Sequence, residues 1–292
     1  MKVPQLTQAE VRDRARGLLL GLAGAEAAAG ASNLARMALA LAEVALADGE
    51  LAPARLLDSW AAIQDQLALP PGSATAAALR LYRDGFPAED LSQAVARILP
   101  PGSGEGPLAR ALPLALPWRD QPGRLKVLAG RSASCTHADA YSRLGTVAAC
   151  LLARDLLSRE LEDSLARVGQ ALREESPPGL SACLRQPRAG DPPEAPPGAA
   201  SALAWSVYAL STESSLPELV RSLRDRGAAT LALAGGLAGA AWGGGSIPEA
   251  MLAALDPSLR AALEATALRL AEAMPEPAAP AANAPDDGRG LV

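Results

Sequence analysis

Arg14-Ala-Arg-Gly-Leu-Leu-Leu-Gly-Leu-Ala-Gly-Ala-Glu26 is the stretch on which the reading of this chain turns. It sits inside a helix that opens at Thr7, an N-cap residue with Glu10 three positions on, the pattern of a capping box. The helix is expected to run to about Ala29. Glu26 is alone in its otherwise apolar second half. It is either a buried carboxylate with a partner or an exposed residue on a polar stripe. Buried, its pKa would rise, and it would be the best general acid or base candidate of the chain.

Working outward, composition points the same way as this helix. The chain has 292 residues, of which 49% are hydrophobic and only 3% aromatic, so the core must be built from Ala and Leu on helices and the fold class is all-α. A net charge of −5 excludes a sequence-independent grip on nucleic acid, which needs clustered positive charge. Cys135, Cys150 and Cys183 show no CxxC spacing and read as buried free thiols. Met1 to Arg16 carries no secretory pattern, so a reducing cytoplasm is the expected location. Gly227 to Pro248 is uncharged and long enough to cross a bilayer. Seven glycines among its residues favour a buried soluble helix instead, so no membrane partner is expected.

Pro and Gly punctuate the remaining helices. They are expected over Asn33 to Ala47, from Pro53, over Ala74 to Arg83, Pro87 to Ile98, Pro107 to Leu116, Asp139 to Leu157 and Leu161 to Glu174. Further helices are expected over Ala199 to Leu210, Pro217 to Arg224, Ala228 to Trp242, Pro248 to Ala254 and Pro257 to Ala273. The proline-rich stretch 176–198 reads as an irregular surface loop or lid. Residues 1–274 are expected to form one compact helical domain, and 275–292, made of Pro, Ala, Asp and Gly, a disordered tail. Gly235 and Gly239 have the spacing of close backbone packing, and Gly243-Gly-Gly245 reads as a helix stop.

Several of these segments are similar, in order and spacing, to the ADP-ribosylglycohydrolase family. Arg14 to Glu26 resembles its opening RxxGxLxGLAxGDAxG helix, with Glu26 at the aspartate. Met37-Ala-Leu-Ala-Leu-Ala-Glu43 resembles QMALALAE, and Gly104-Glu-Gly-Pro-Leu-Ala-Arg110-Ala-Leu-Pro-Leu-Ala resembles the GNGxLMRxxPLA loop and helix. Thr136-His137 stands where a TH pair introduces a long helix. Ala234-Gly-Gly-Leu-Ala-Gly-Ala-Ala-Trp-Gly243 resembles AGALAGAxxG.

This resemblance implies an orthogonal all-α bundle whose cleft holds two magnesium ions and hydrolyses the N- or O-glycosidic bond between ADP-ribose and a protein side chain. Such ions need oxygen ligands, mainly carboxylates. In register with the matches, however, the first family metal cluster falls on Ser32, Asn33, Leu34 and Ala35, and the second on Arg226, Gly227, Ala228 and Ala229. None is acidic. The segment that joins the opening helix to the first cluster in the family is also almost absent here. No metal or other cofactor is therefore expected, and Ser32, Asn33, Leu34, Arg226, Ala228 and Ala229 are vestigial metal positions.

Other polar residues could serve a cleft without metal. His137 is the only histidine; the resemblance places it at the ligand, while a helix-capping surface histidine is the alternative. Glu105, beside Gly106, replaces the asparagine of GNG and would repel a pyrophosphate. Arg36, Arg110 and Arg226 could line the old metal cleft and attract an anion, or lie on solvated helix faces. Trp118 is either core or a base-stacking residue.

Three functions follow. The first is a catalytically silent relative, or pseudoenzyme, that binds an anionic nucleotide-like molecule or a protein partner. The second is a metal-free hydrolase of ADP-ribosyl or related bonds that uses Glu26 and His137. The third is an interaction protein whose cleft is filled by Leu and Ala.

Overall fold

The computed structural model describes residues 6–65, 72–99, 104–185, 187 and 190–273. Every regular element among them is helical. In chain order these are α1 (Gln8–Ala27), α2 (Asn33–Asp48), α3 (Pro53–Gln64), α4 (Ser73–Arg83) and α5 (Leu91–Ile98). Then come α6 (Gly106–Arg110), α7 (Pro122–Ser134), α8 (Ala140–Leu156), α9 (Leu161–Ala171) and α10 (Pro178–Cys183). The chain continues with α11 (Ala199–Thr212), α12 (Leu216–Ser222), α13 (Ala228–Trp242), α14 (Glu249–Ala253) and α15 (Pro257–Glu272).

Two helices form the axis of the molecule. Residues 17–26 of α1 and 230–240 of α13 are buried without a break. A helix that is apolar on every side can only be satisfied by neighbours all round it. The two run antiparallel, with Gly17 against Gly239 and Gly21 against Gly235. A methyl group on any of these four would overlap the backbone opposite. The close approach expected from Gly235 and Gly239 is thus completed by a second glycine pair on α1. Around the axis α2, α8, α11 and α15 pack with their apolar faces inward, merging into one continuous core cluster. A small satellite of Ala74, Ala78 and Val95 lies under α4 and α5.

Several helix ends follow their local chemistry. Thr7 caps α1: its amide donates to Glu10 Oε2 at 2.7 Å and its Oγ1 accepts from the Glu10 amide at 3.3 Å. Thr7→Ala should therefore lower stability by about 1 kcal/mol, the usual worth of a cap. Thermal unfolding followed by circular dichroism would register this as a fall of about 2–4 °C. Asp139 caps α8 through the Ser142 amide at 2.8 Å. Gly49, at φ 61°, ends α2 in the left-handed region.

Three segments differ from expectation. α7 does not appear among the sequence expectations, although it starts with Pro122 in its first turn, where the missing amide hydrogen costs nothing. It buries Leu125, Leu128, Ala129 and Ser132 at helical spacing. The helix expected over Pro107 to Leu116 breaks after Arg110 into a 3-10 turn, Leu112–Ala115. Pro113 has no N–H to extend the α ladder. The stretch 176–198 contains α10, which buries Leu180 and Cys183, so its described part is anchored in the core. The expected disordered tail lies outside the described residues.

All three cysteines are free and buried, and burial pushes the thiols of Cys135 and Cys183 up to about 11. No described helix is long and apolar enough to cross a membrane.

Candidate functional site

Helix N-termini line the cleft that holds most of the candidate residues. A cavity of about 680 Å³ is lined by the first residues of α2 (Asn33, Leu34), α4 (Ser73, Ala74, Thr75) and α13 (Ala228, Ala229), and by Gly198, the N-cap of α11. The loop Gly104-Glu105-Gly106, together with Glu26, Arg110 and His137, completes the wall. The first amides of a helix have no partner within it and carry a partial positive charge. At α4, α11 and α13 the N-cap is glycine: Gly72, Gly198 and Gly227, none of which can offer a side-chain cap. At Gly198 and Gly227, φ of 83° and 87° makes glycine the residue that fits.

Glu26 resolves toward the buried alternative, and its partner is a neighbouring helix. Its side chain is 1% exposed. Oε1 accepts from the Leu34 amide at 2.8 Å and Oε2 from the Ala35 amide at 2.9 Å. It thus caps α2, where Ser32, the N-cap residue by position, makes no side-chain bond. Burial raises its carboxyl to about 7, against the pull of the α2 amides and Arg36 toward the charged form.

Glu105 ties two helix starts together, Oε2 accepting from Thr230 Oγ1 at 3.1 Å, and burial raises its carboxyl above the ordinary range.

A second polar unit crosses the cleft's other end. Arg110 is 1% exposed and stacks on Trp60, with its guanidinium carbon 4.1 Å from the ring centre. Nη1 donates to Thr75 Oγ1 at 2.9 Å and Nη2 to Thr136 Oγ1 at 2.6 Å. Thr136 Oγ1 in turn lies 2.7 Å from His137 Nδ1 but 3.5 Å from the Ala133 carbonyl, so its proton is best placed on the imidazole bond. That assigns the ring proton of His137 to Nε2. Burial and the positive Arg110 push His137 down to about 3, so the ring is neutral near pH 7. Burial also lowers Arg110, to about 10. Among the described residues His137 Nε2 and Arg110 Nε have no hydrogen-bond partner, and Gly104 lies against the Nε2 edge of the ring. Among the described residues the side-chain partners of Arg110 are hydroxyls, and no carboxylate is among them.

The other sequence candidates scatter. Gly106 lines the cavity, with Leu34 beside it. Arg36 and Arg226 do not line it. Arg226 is exposed and lies over the Trp205 ring at 3.4 Å, because the 3-10 turn Arg224–Arg226 turns its side chain toward α11. Arg36 is half-buried, beside Glu26 and Asp256. Trp118 is buried, which removes it as a stacking platform. What sequence reasoning missed is the set of three glycine N-caps, the hydroxyl partner Thr75 and the bond from Arg110 to Thr136. The only signals for the first were the helix starts expected at Ala199 and Ala228, each preceded by glycine; the start expected at Ala74 fell one residue late.

The donor set does not fit a pair of magnesium ions. Leu34, Ala228 and Ala229 present carbon to the cavity, and both Glu26 oxygens are engaged by backbone amides. No group of three or more His, Cys, Asp or Glu able to hold a metal occurs among the described residues. Neutral oxygens from Ser32 and Asn33 would not offset the hydration a doubly charged ion gives up.

Comparison with known proteins agrees with the geometry of the bundle. The sequence model of the ADP-ribosylglycohydrolase family matches residues 7–280. A solved structure described as an ADP-ribosylglycohydrolase-related protein complex is similar, with 28% identity and a TM-score of 0.73. The match covers 91% of this chain and 99% of that one. No curated protein matches.

Proposed function

The chain belongs to the ADP-ribosylglycohydrolase family, and we propose that within it this protein is a binding or scaffold member that works without the binuclear magnesium site and does not cleave the family's glycosidic bond. The observation that carries this reading is the chemistry of the cleft wall. Where two ions would need carboxylates, the cavity meets Leu34, Ala228 and Ala229.

Metal-free acid–base chemistry by Glu26 and His137 fits less well. Both line the cavity, but the carboxylate oxygens of Glu26 are bonded to α2 amides and the imidazole is far too weak a base near pH 7. A cleft filled by Leu and Ala fits least, since the cavity is open. A protein partner remains a second reading, favoured by the similar structure being one of a complex. The protein's proposed place is the cytoplasm, and nucleic acid and membranes are not among its proposed partners.

Calorimetric titration of the full chain with Mg²⁺ should give no binding heat, and incubation with ADP-ribosylated protein in Mg²⁺ should release no ADP-ribose. Stoichiometric Mg²⁺ binding together with release would overturn the reading.

A further inference from the structure

We infer that the α4–α5 hairpin is a hinged lid of the cleft: it pivots at its turn end on α3, and the hydrogen bond from Arg110 to Thr75 latches its cleft end. The inference goes beyond the reading of the cleft as metal-free and does not depend on it.

The two ends of the hairpin are held in different ways. Toward the turn, Leu79 and Leu91 belong to the continuous core, with Tyr82 and Ala88 packed against it. Tyr82 Oη donates to Asp58 Oδ1 at 2.8 Å and to the Ala54 carbonyl at 3.3 Å. Arg83 Nη2 donates to the Ala61 carbonyl at 2.7 Å and to Asp65 Oδ1 at 2.6 Å. All four acceptors lie on α3 or at its C-cap. At the cleft end, by contrast, Ala74, Ala78 and Val95 form a satellite that does not merge with the core. α5 packs chiefly on α4, and α4 on α5 and α3.

A second cavity, of about 280 Å³, sets the cleft end of the hairpin off from the body. Ser92, Val95, Ala96 and Leu99 face the connection from α7 to α8, residues 136–139, across it. Ala74 lines both this gap and the main cleft, so the start of α4 is a wall with room on either side. Moving it changes the width of the cleft. Close packing normally resists such a movement, because a displaced element opens voids against its neighbours. Here the void is already present.

Among the described residues, the side chains of the first turn of α4 make one hydrogen bond to the body, the 2.9 Å bond that Thr75 Oγ1 accepts from Arg110 Nη1. The same guanidinium rests on Trp60 of α3 and holds Thr136. No carboxylate offsets its charge, so the latched state keeps a buried cation at a cost. Swinging α4 away breaks the bond but lets water reach the guanidinium, and that hydration offsets the loss. The turn end has no such exchange, since its departure would expose Leu79 and Leu91. One end fixed in the core and the other lightly held is the arrangement of an element that moves as a unit.

Pairs of spin labels on the full chain test this by double electron–electron resonance. The three native cysteines are buried, so labelling goes to introduced ones at exposed positions. Arg97→Cys with Asp225→Cys measures from the cleft end of the hairpin to the start of α13, and Asp84→Cys with Asp225→Cys measures from its turn end. The first pair should give two distances and the second pair one. Thr75→Val should raise the minor population of the first pair about tenfold, the worth of a lost bond to a charged group. Ser92→Leu, which fills the gap, should leave a single distance. One distance for the first pair in both wild type and Thr75→Val overturns the inference. So does broadening at both pairs, which would mean that the hairpin unfolds instead of pivoting. Should Thr75→Val fail to fold, wild type and Ser92→Leu still decide: two distances must collapse to one, and any other result overturns the lid.

Discussion

Replacing Gly239 by valine is expected to lower the melting temperature by about 10 °C or prevent folding altogether. A side chain at 239 has to enter the space of the Gly17 carbonyl, and the opposing atoms are backbone on both sides. No rotamer change relieves that overlap, so the two axial helices must separate. Overpacking of a well-filled core costs about 1–3 kcal/mol and sometimes more. With rigid backbone as the neighbour, the upper end, at least about 3 kcal/mol, applies. A domain of this size loses about 2–4 °C per kcal/mol, and its whole stability is only about 5–15 kcal/mol. Separation would be felt throughout, because α2, α8, α11 and α15 rest on the same axis. Gly123→Ala in α7 is the matched control. A methyl there has nothing within 4 Å, and alanine favours a helix by about 0.5–1 kcal/mol over glycine. Thermal unfolding of the two variants checks the argument. Equal melting temperatures would mean that the axis is not held by backbone contact.

The second large effect is expected at Glu26, in both size and pH dependence. Glu26→Ala strips the cap from α2 and leaves its first amides buried without acceptors. A lost cap costs about 0.5–2 kcal/mol, and each buried unsatisfied group adds about 1–3 kcal/mol. A total near 3 kcal/mol is expected.

The pH dependence has a definite sign. The folded carboxyl titrates at about 7 against 4.5 for the free side chain. The folded state therefore holds the proton more tightly. Its contribution is fully present below about 4.5 and is lost as pH rises through about 7. Spread over that window it amounts to about 3 kcal/mol.

His137 works in the opposite direction. Its folded value of about 3 against 6.5 removes stability as pH falls below 6.5. The two slopes oppose one another between about 4.5 and 6.5, so the wild-type profile by itself hides both. The difference in unfolding free energy between wild type and Glu26→Gln isolates the carboxyl. It should change across pH 4.5 to 7 with the variant gaining relative stability as pH rises. A difference independent of pH would show that Glu26 is not titrating in that window.

Legibility from sequence was uneven, for reasons that lie in particular residues. The bounds of α13, the capping box at Thr7 and the close packing at Gly235 and Gly239 are properties of short segments. Residue type and spacing suffice to read them. α7 escaped because Gln121-Pro-Gly is as much a turn signal as a helix start. Glu26 could be marked as anomalous, but whether its partner was water, a charge or a helix end depended on where α2 begins in space. Arg36, Arg110 and Arg226 were indistinguishable as sequence. Packing put Arg110 into the cleft wall, Arg226 onto Trp205 and Arg36 outside the cavity lining.

By itself, then, the sequence determined an all-α chain of the ADP-ribosylglycohydrolase family, because helix period, caps and motif order are encoded between near neighbours. Only the tertiary structure decided that three glycine-capped helix starts line one cavity with Glu26, His137 and the guanidinium that Thr75 and Thr136 hold. Direction and burial belong to segments far apart in the chain, and no local pattern records which of them meet.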